Sequence, residues 1–169
     1  MPTEKLADLT QPQRDRLSFL ELRVRFLGEI RRQDLVTRFG IQTAAASRDL
    51  TLYKALAPSN IDYDPKGKSY ILGSDFRPVF DFPPERVLSW LTRGFGDGEP
   101  LVLKAWIANE TPSRLTHPDL DVLASVTRAI HQECPLSVEY HSITSGRTER
   151  EIVPFALIDN GLRWHVRAF

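Results

Sequence analysis

Residues 31–72, RRQDLVTRFGIQTAAASRDLTLYKALAPSNIDYDPKGKSYIL, decide the fold of the first half of this chain. Arg32–Phe39 reads as a short helix burying Leu35, Val36 and Phe39, and Gly40 follows where a sharp turn needs positive φ. Thr43–Leu56 keeps helical spacing through Ala46, Leu50, Tyr53 and Leu56, with Thr43 as the nearest N-cap and Ala57-Pro58 as the stop. Residues 60–63 and Ser69–Leu72 are β-prone runs around Asp64-Pro65-Lys66-Gly67-Lys68, the signature of a hairpin. Leu35, Phe39 and Ile41 surround the glycine turn and can dock on Ala46 and Leu50. That fixes a helix-turn-helix followed by a wing.

Upstream, residues 14–27 place Leu17, Leu20, Val24 and Leu27 at helical spacing, with Phe19, Leu22 and Phe26 widening the stripe and Gly28 ending it. The first 13 residues read as a frayed lead-in. Downstream, residues 73–84 mix aromatics with prolines and read as an extended connector. Val87, Leu88 and Leu91 imply a short helix before Gly94, and residues 101–107 suit strand or helix equally. Residues 121–133 predict a helix burying Val122, Leu123, Val126 and Ile130, stopped by Pro135. Three strands are expected over 137–141, 151–157 and 163–169, with turns at Ser145-Gly146 and Asp159-Asn160-Gly161. The expected class is α+β: a winged helix-turn-helix over 12–75, a helical connector over 76–133 and a β domain over 134–169.

The first module has the chemistry of a reader of double-stranded DNA. Residues 12–72 hold 11 Lys and Arg against 7 Asp and Glu, whereas the whole chain of 169 residues is balanced at 22 and 22. Thr43, Ala44, Ser47 and Arg48 fall on the outward face of the second helix of the motif. Arg48 suits guanine edges, Ser47 a base or phosphate, and an alanine a thymine methyl. Arg32 and Lys54 are placed for phosphates, and Lys66 and Lys68 bracket the wing tip. Asp49 is expected to pair within the protein, since a carboxylate facing phosphate is repelled. Each of these side chains also suits an ordinary solvated surface, and the same fold serves as a protein-interaction or scaffold module. The constellation favours DNA more than any one residue does.

The whole segment quoted above resembles the winged helix-turn-helix of WYL-domain transcriptional regulators, and among them the repressors of bacterial anti-phage defence islands. The run through Leu50, Tyr53, Asn60, Tyr63-Asp64, Lys68 and Tyr70 carries that similarity. The last 35 residues, PLSVEYHSITSGRTEREIVPFALIDNGLRWHVRAF, resemble the start of the WYL domain, a small Sm-like β-barrel. The name-giving Trp-Tyr-Leu triplet falls on Trp164-His165-Val166, which keeps only the tryptophan. The resemblance implies a ligand-sensing surface at Tyr140, Ser142, Arg150, Arg163, His165 and Arg167. Strand alternation agrees in part: it puts Arg163, His165 and Arg167 on one face and Trp164, Val166 and Ala168 on the other. Such a basic stripe suits a nucleotide or nucleic-acid phosphate. Three strands do not close a barrel, so the expectation is a truncated chain, a barrel completed by a partner or a degenerate barrel.

Catalysis is not expected. His117, His131, His141 and His165 show no metal-ligand spacing with Cys134, and no Gly-Lys-Ser/Thr phosphate loop is present. The single cysteine excludes an internal disulfide and suits a reducing cytoplasm. No apolar run approaches the roughly 18–20 residues of a membrane span. The expectation is therefore a cytoplasmic, ligand-responsive repressor without a cofactor, binding a palindromic operator as a homodimer.

Overall fold

The computed structural model of the chain describes residues 9–95, 118–142 and 146–169, which divide into one unit ending at Phe82 and a second starting at Pro83. The class is α+β: a helical winged helix-turn-helix region followed by a strand-rich one.

Helix α1 (Gln11–Leu27) starts three residues earlier than its apolar spacing suggests. Thr10 caps it: its Oγ1 accepts from the Gln13 amide at 3.4 Å, and its own amide donates to Gln13 Oε1 at 3.1 Å. A two-residue strand, β1 (Glu29–Ile30), follows, then α2 (Arg32–Phe39) and α3 (Thr43–Leu56). Both helices of the motif have the predicted bounds. Between them Gly40 takes φ +62° and its amide donates to the Val36 carbonyl at 2.9 Å, so the turn uses a conformation that costs other residues energy. Thr43 is not the N-cap. Gln42 holds that extended position, without a capping side-chain hydrogen bond, and Thr43 is the first helical residue.

The wing is β2 (Ile61–Asp64) and β3 (Ser69–Leu72), with β1 added beside β3 in the order β1-β3-β2. Ile30 opposes Tyr70 on one side and Tyr63 opposes Tyr70 on the other, the two tyrosine rings 5.1 Å apart. Gly73 closes the wing's base. A Cβ there would stand 2.0 Å from the Ser59 carbonyl oxygen, so no larger residue fits without moving backbone. The core of this unit is Leu17, Leu20, Val24, Phe26, Ile30, Leu35, Leu50, Tyr53 and Ile61, all essentially inaccessible.

The second unit holds α4 (Pro84–Arg93), with Val87 and Leu88 buried, and α5 (Leu120–Gln132). Asp119 caps α5 by accepting from the Asp121 and Val122 amides. Its buried face is Leu123, Ala124, Val126, Thr127 and Ala129. The predicted Val122 contact fails: that side chain is 63% exposed, because it sits off the stripe in the first turn, and Ile130 is only half-buried. Residues 101–107 and His117 lie outside the described residues.

Among the described residues four strands form where three were expected: β4 (Leu136–Ser142), β5 (Gly146–Ile152), β6 (Pro154–Asp159) and β7 (Trp164–Ala168). Residues 151–157 are not one strand; Val153 separates the end of β5 from the start of β6. The strands pair as two antiparallel hairpins, β4-β5 and β6-β7, the second with an irregularity between Pro154 and Ala156. Helix α5 packs on β4 and β6.

Candidate nucleic-acid interface

Helix α3 is anchored on its inner side and bare on its outer side. Inward, Ala46, Asp49, Leu50, Tyr53 and Leu56 are buried. Outward, Thr43, Ala44 and Arg48 are exposed and Ser47 is half-buried. Ala44, Ser47 and Arg48, joined by exposed Thr51, follow the i, i+3, i+4, i+7 spacing of a single helix face. Arg48 has no ion-pair or hydrogen-bond partner among the described residues, so its guanidinium is available to a ligand. The Ser47 hydroxyl donates to the Thr43 carbonyl at 3.0 Å, which spends its proton within the helix and leaves the oxygen as an acceptor. With no side chain capping it, the positive end of α3 presents amides beside small Ala44.

The positively charged candidates divide. Arg32 is exposed at the first position of α2, and Lys66 and Lys68 are exposed on the wing tip, all three without ion-pair partners among the described residues. Lys54 is engaged: its Nζ lies 3.7 Å from Asp62 on β2, tying the end of α3 to the wing. Asp64 shapes the tip by accepting from the Lys66 and Gly67 amides, each at 2.9 Å. Lys68 takes φ +53°, a left-handed conformation that a residue with a side chain adopts at some cost.

As expected, Asp49 is satisfied internally, by Arg16 of α1. A second buried network was not foreseen. Glu21 of α1, fully buried, accepts from Tyr53 Oη at 2.7 Å and from the Val79 and Phe80 amides at 2.9 Å. Asn60 Nδ2 donates to Tyr53 Oη at 3.0 Å and to the Arg77 carbonyl at 2.7 Å, and its Oδ1 accepts from the Arg77 amide. Burial pushes the Glu21 carboxyl above its ordinary range; the Phe80 amide, the Tyr53 hydroxyl, the Val79 amide and the Arg25 charge pull it back only in part. Burial and the Glu21 charge push the Tyr53 phenol upward as well.

The six ligand candidates of the second unit fall into two groups of three. Pairing of Val138 with Arg150, Tyr140 with Thr148 and Ser142 with Gly146 puts Tyr140, Ser142 and Arg150 on one face of the β4-β5 hairpin. The Arg150 guanidinium lies 4.7 Å from the centre of the Tyr140 ring. On the other hairpin, His165 opposes Ile158 and Arg167 opposes Ala156, so these two share a face. Arg167 lies over Phe155 at 5.8 Å, and His165 Nε2 is 3.0 Å from Asn160 Nδ2. Arg163 precedes β7, where its amide donates to Asn160 Oδ1. No sheet joins the two groups among the described residues.

Residues 12–93 match the family described as the BrxR transcriptional regulator winged helix-turn-helix domain, and residues 121–169 match the WYL domain. The chain thus joins a region similar to the BrxR-type winged helix-turn-helix to a region similar to the WYL domain. Its relatives include proteins named DNA-binding transcriptional repressor CapW. The one from Pseudomonas aeruginosa is 34% identical over 165 residues, covering 93% of this chain and 54% of the relative. That from Escherichia coli (strain KTE188) is 32% identical over 170 residues, with the same two coverages of 93% and 54%. That from Stenotrophomonas maltophilia is 34% identical over 165 residues, again covering 93% and 54%. The chain thus spans about half the length of the curated relatives it matches. None of these descriptions names an enzyme. Among the described residues no cluster of His, Cys, Asp and Glu is placed to hold a metal ion, and no helix is long and apolar enough to cross a membrane.

Proposed function

We propose that this protein is a sequence-specific regulator of transcription that binds double-stranded DNA, acting in the cytoplasm as a ligand-responsive repressor of a phage-defence or neighbouring operon. The observation that carries the reading is the outward face of α3: Arg48 without a partner among the described residues, beside Thr43, Ala44 and Ser47, at the uncapped end of a helix anchored on its other side. Arg48 is assigned to base edges, and Arg32, Lys66 and Lys68 to phosphates. The Lys54–Asp62 pair favours a bracing role for Lys54 over direct phosphate contact. The names carried by the CapW relatives support the same reading.

A single winged module covers too little DNA for tight specific binding, so the active form is a homodimer whose two α3 helices enter successive major grooves of a palindromic operator. An anionic ligand, a nucleotide or a nucleic-acid phosphate, is assigned to Tyr140, Ser142 and Arg150 together with Arg163, His165 and Arg167. Such a ligand regulates only if it binds the DNA-competent and incompetent arrangements with different affinity.

The test is a titration of the purified chain, at two salt concentrations, against duplexes tiled across its own promoter and a scrambled duplex. Tight, salt-dependent binding to one palindromic tile supports the proposal. Uniform weak binding to every tile counts against a sequence-specific reader and favours a winged scaffold module.

A further inference from the structure

A connector between units ordinarily runs over the surface with its amides in water. Here two consecutive amides, those of Val79 and Phe80, are given to a carboxylate that is itself fully buried. Two residues earlier, the amide and carbonyl of Arg77 are both held by the side chain of Asn60, which is 2% exposed. Burying a carboxylate is costly unless its oxygens are satisfied, and here the connector supplies two of the three donors. If the connector left, Glu21 would keep only Tyr53 and its charge would have to find water. The Tyr53 hydroxyl joins the parts: it donates to Glu21 and accepts from Asn60, and it sits on the buried side of the helix that carries Ser47 and Arg48. Among the described residues, the charged groups facing this network are Glu21 itself and Arg25 on α1.

We infer that residues 77–80 form a strap latched to the winged unit by Glu21 and Asn60, and that Tyr53 couples the seating of this strap to the seating of α3. Glu21, Tyr53 and Asn60 are positioning residues; none of them touches DNA. The strap runs covalently into Pro83, the first residue of the second unit, so any pull along the chain from that unit reaches the latch before it reaches α3. A loosened strap removes donors from Glu21, weakens its hold on Tyr53 and frees α3 to shift against α1. The link to DNA affinity rests on the proposed role of α3, whereas the coupling itself does not.

Hydrogen exchange of the full chain, followed by mass spectrometry, tests it with Val79→Pro and Tyr53→Phe. Val79→Pro deletes one strap donor and leaves Tyr53 untouched. Exchange should quicken at least fivefold both at Phe80 and over residues 43–50, with α1 unchanged. Tyr53→Phe removes one oxygen and should quicken the Val79 and Phe80 amides by a similar factor. The inference is overturned if Val79→Pro loosens the strap while residues 43–50 exchange as before, or if Tyr53→Phe leaves the strap amides as protected as in the parent. Should Val79→Pro unfold the unit, Tyr53→Phe decides alone. Duplex titration of the same variants is a separate arm: a parent chain that binds no duplex refutes the proposed function, while the exchange result still decides the coupling.

Discussion

Arg16 holds Asp49 through two bonds, Nε to Oδ2 at 2.6 Å and Nη2 to Oδ1 at 3.2 Å, with both side chains largely shielded from water. This two-point grip joins α1 to α3 immediately behind Arg48 and fixes the rotation of the outward face. Removing one partner strands the other charge. Arg16→Ala should cost about 3 kcal/mol of stability. Replacing both residues with apolar ones should cost clearly less. Urea unfolding of the three proteins distinguishes this from a simple count of lost contacts, which predicts the double variant to be worst.

The Glu21 carboxyl makes stability depend on pH with a definite sign. Its pKa is higher in the folded chain than its ordinary value of 4.5, so the folded state holds the proton more tightly than the unfolded one. The associated stability is fully present below the unfolded value and is lost as pH rises through the folded one. Glu21→Gln cannot titrate. The stability of Glu21→Gln relative to the parent should therefore increase between pH 4 and pH 7 in urea titrations. A difference that stays flat, or slopes the other way, refutes the assignment.

Arg48→Ala should weaken operator binding by about 1–3 kcal/mol while changing affinity for scrambled duplex much less. Competition titrations with both duplexes read the ratio directly. Equal losses on the two would remove Arg48 from the base readers and leave it among the phosphate contacts.

Neutralising Lys66 and Lys68 together should lower affinity for every duplex alike. It should also flatten the dependence of log K on log salt by about one to two units, since each lost phosphate contact removes close to one released counterion. Measuring affinity across a salt series checks this, and an unchanged slope would take the wing off the DNA.

Parts of this structure were legible in the residues and parts were not, for identifiable reasons. Helices α2 and α3 were readable because Gly40 and Ala57-Pro58 punctuate them and their apolar spacing is regular. Strand β1 was not, because two residues carry no periodicity and Glu29–Ile30 is recruited only by pairing with β3. Strand β5, GRTEREI, was hidden by its charge: its first five residues hold no apolar side chain, and its partner β4 supplies the reason to extend. Thr43 has the better capping side chain, yet the turn after Gly40 brings Gln42 to the cap position. The latch did leave a trace: Glu21 stands among Leu17, Leu20 and Val24, where an unexplained acid on a buried stripe asks for a partner. The six ligand candidates were found by resemblance; alternation already grouped Arg163, His165 and Arg167, whereas the face shared by Tyr140, Ser142 and Arg150 emerges only from the β4-β5 register.

The carboxylate of Asp64 sits beneath the wing tip, already bonded to the amides of Lys66 and Gly67. The loop therefore has its shape before any nucleic acid arrives. Capture of a phosphate there would immobilise two lysine side chains, at about 0.5–1.5 kcal/mol each, and no backbone. A wing of this kind is a rigid bracket with two soft ends, and rebuilding its ends changes grip without changing reach.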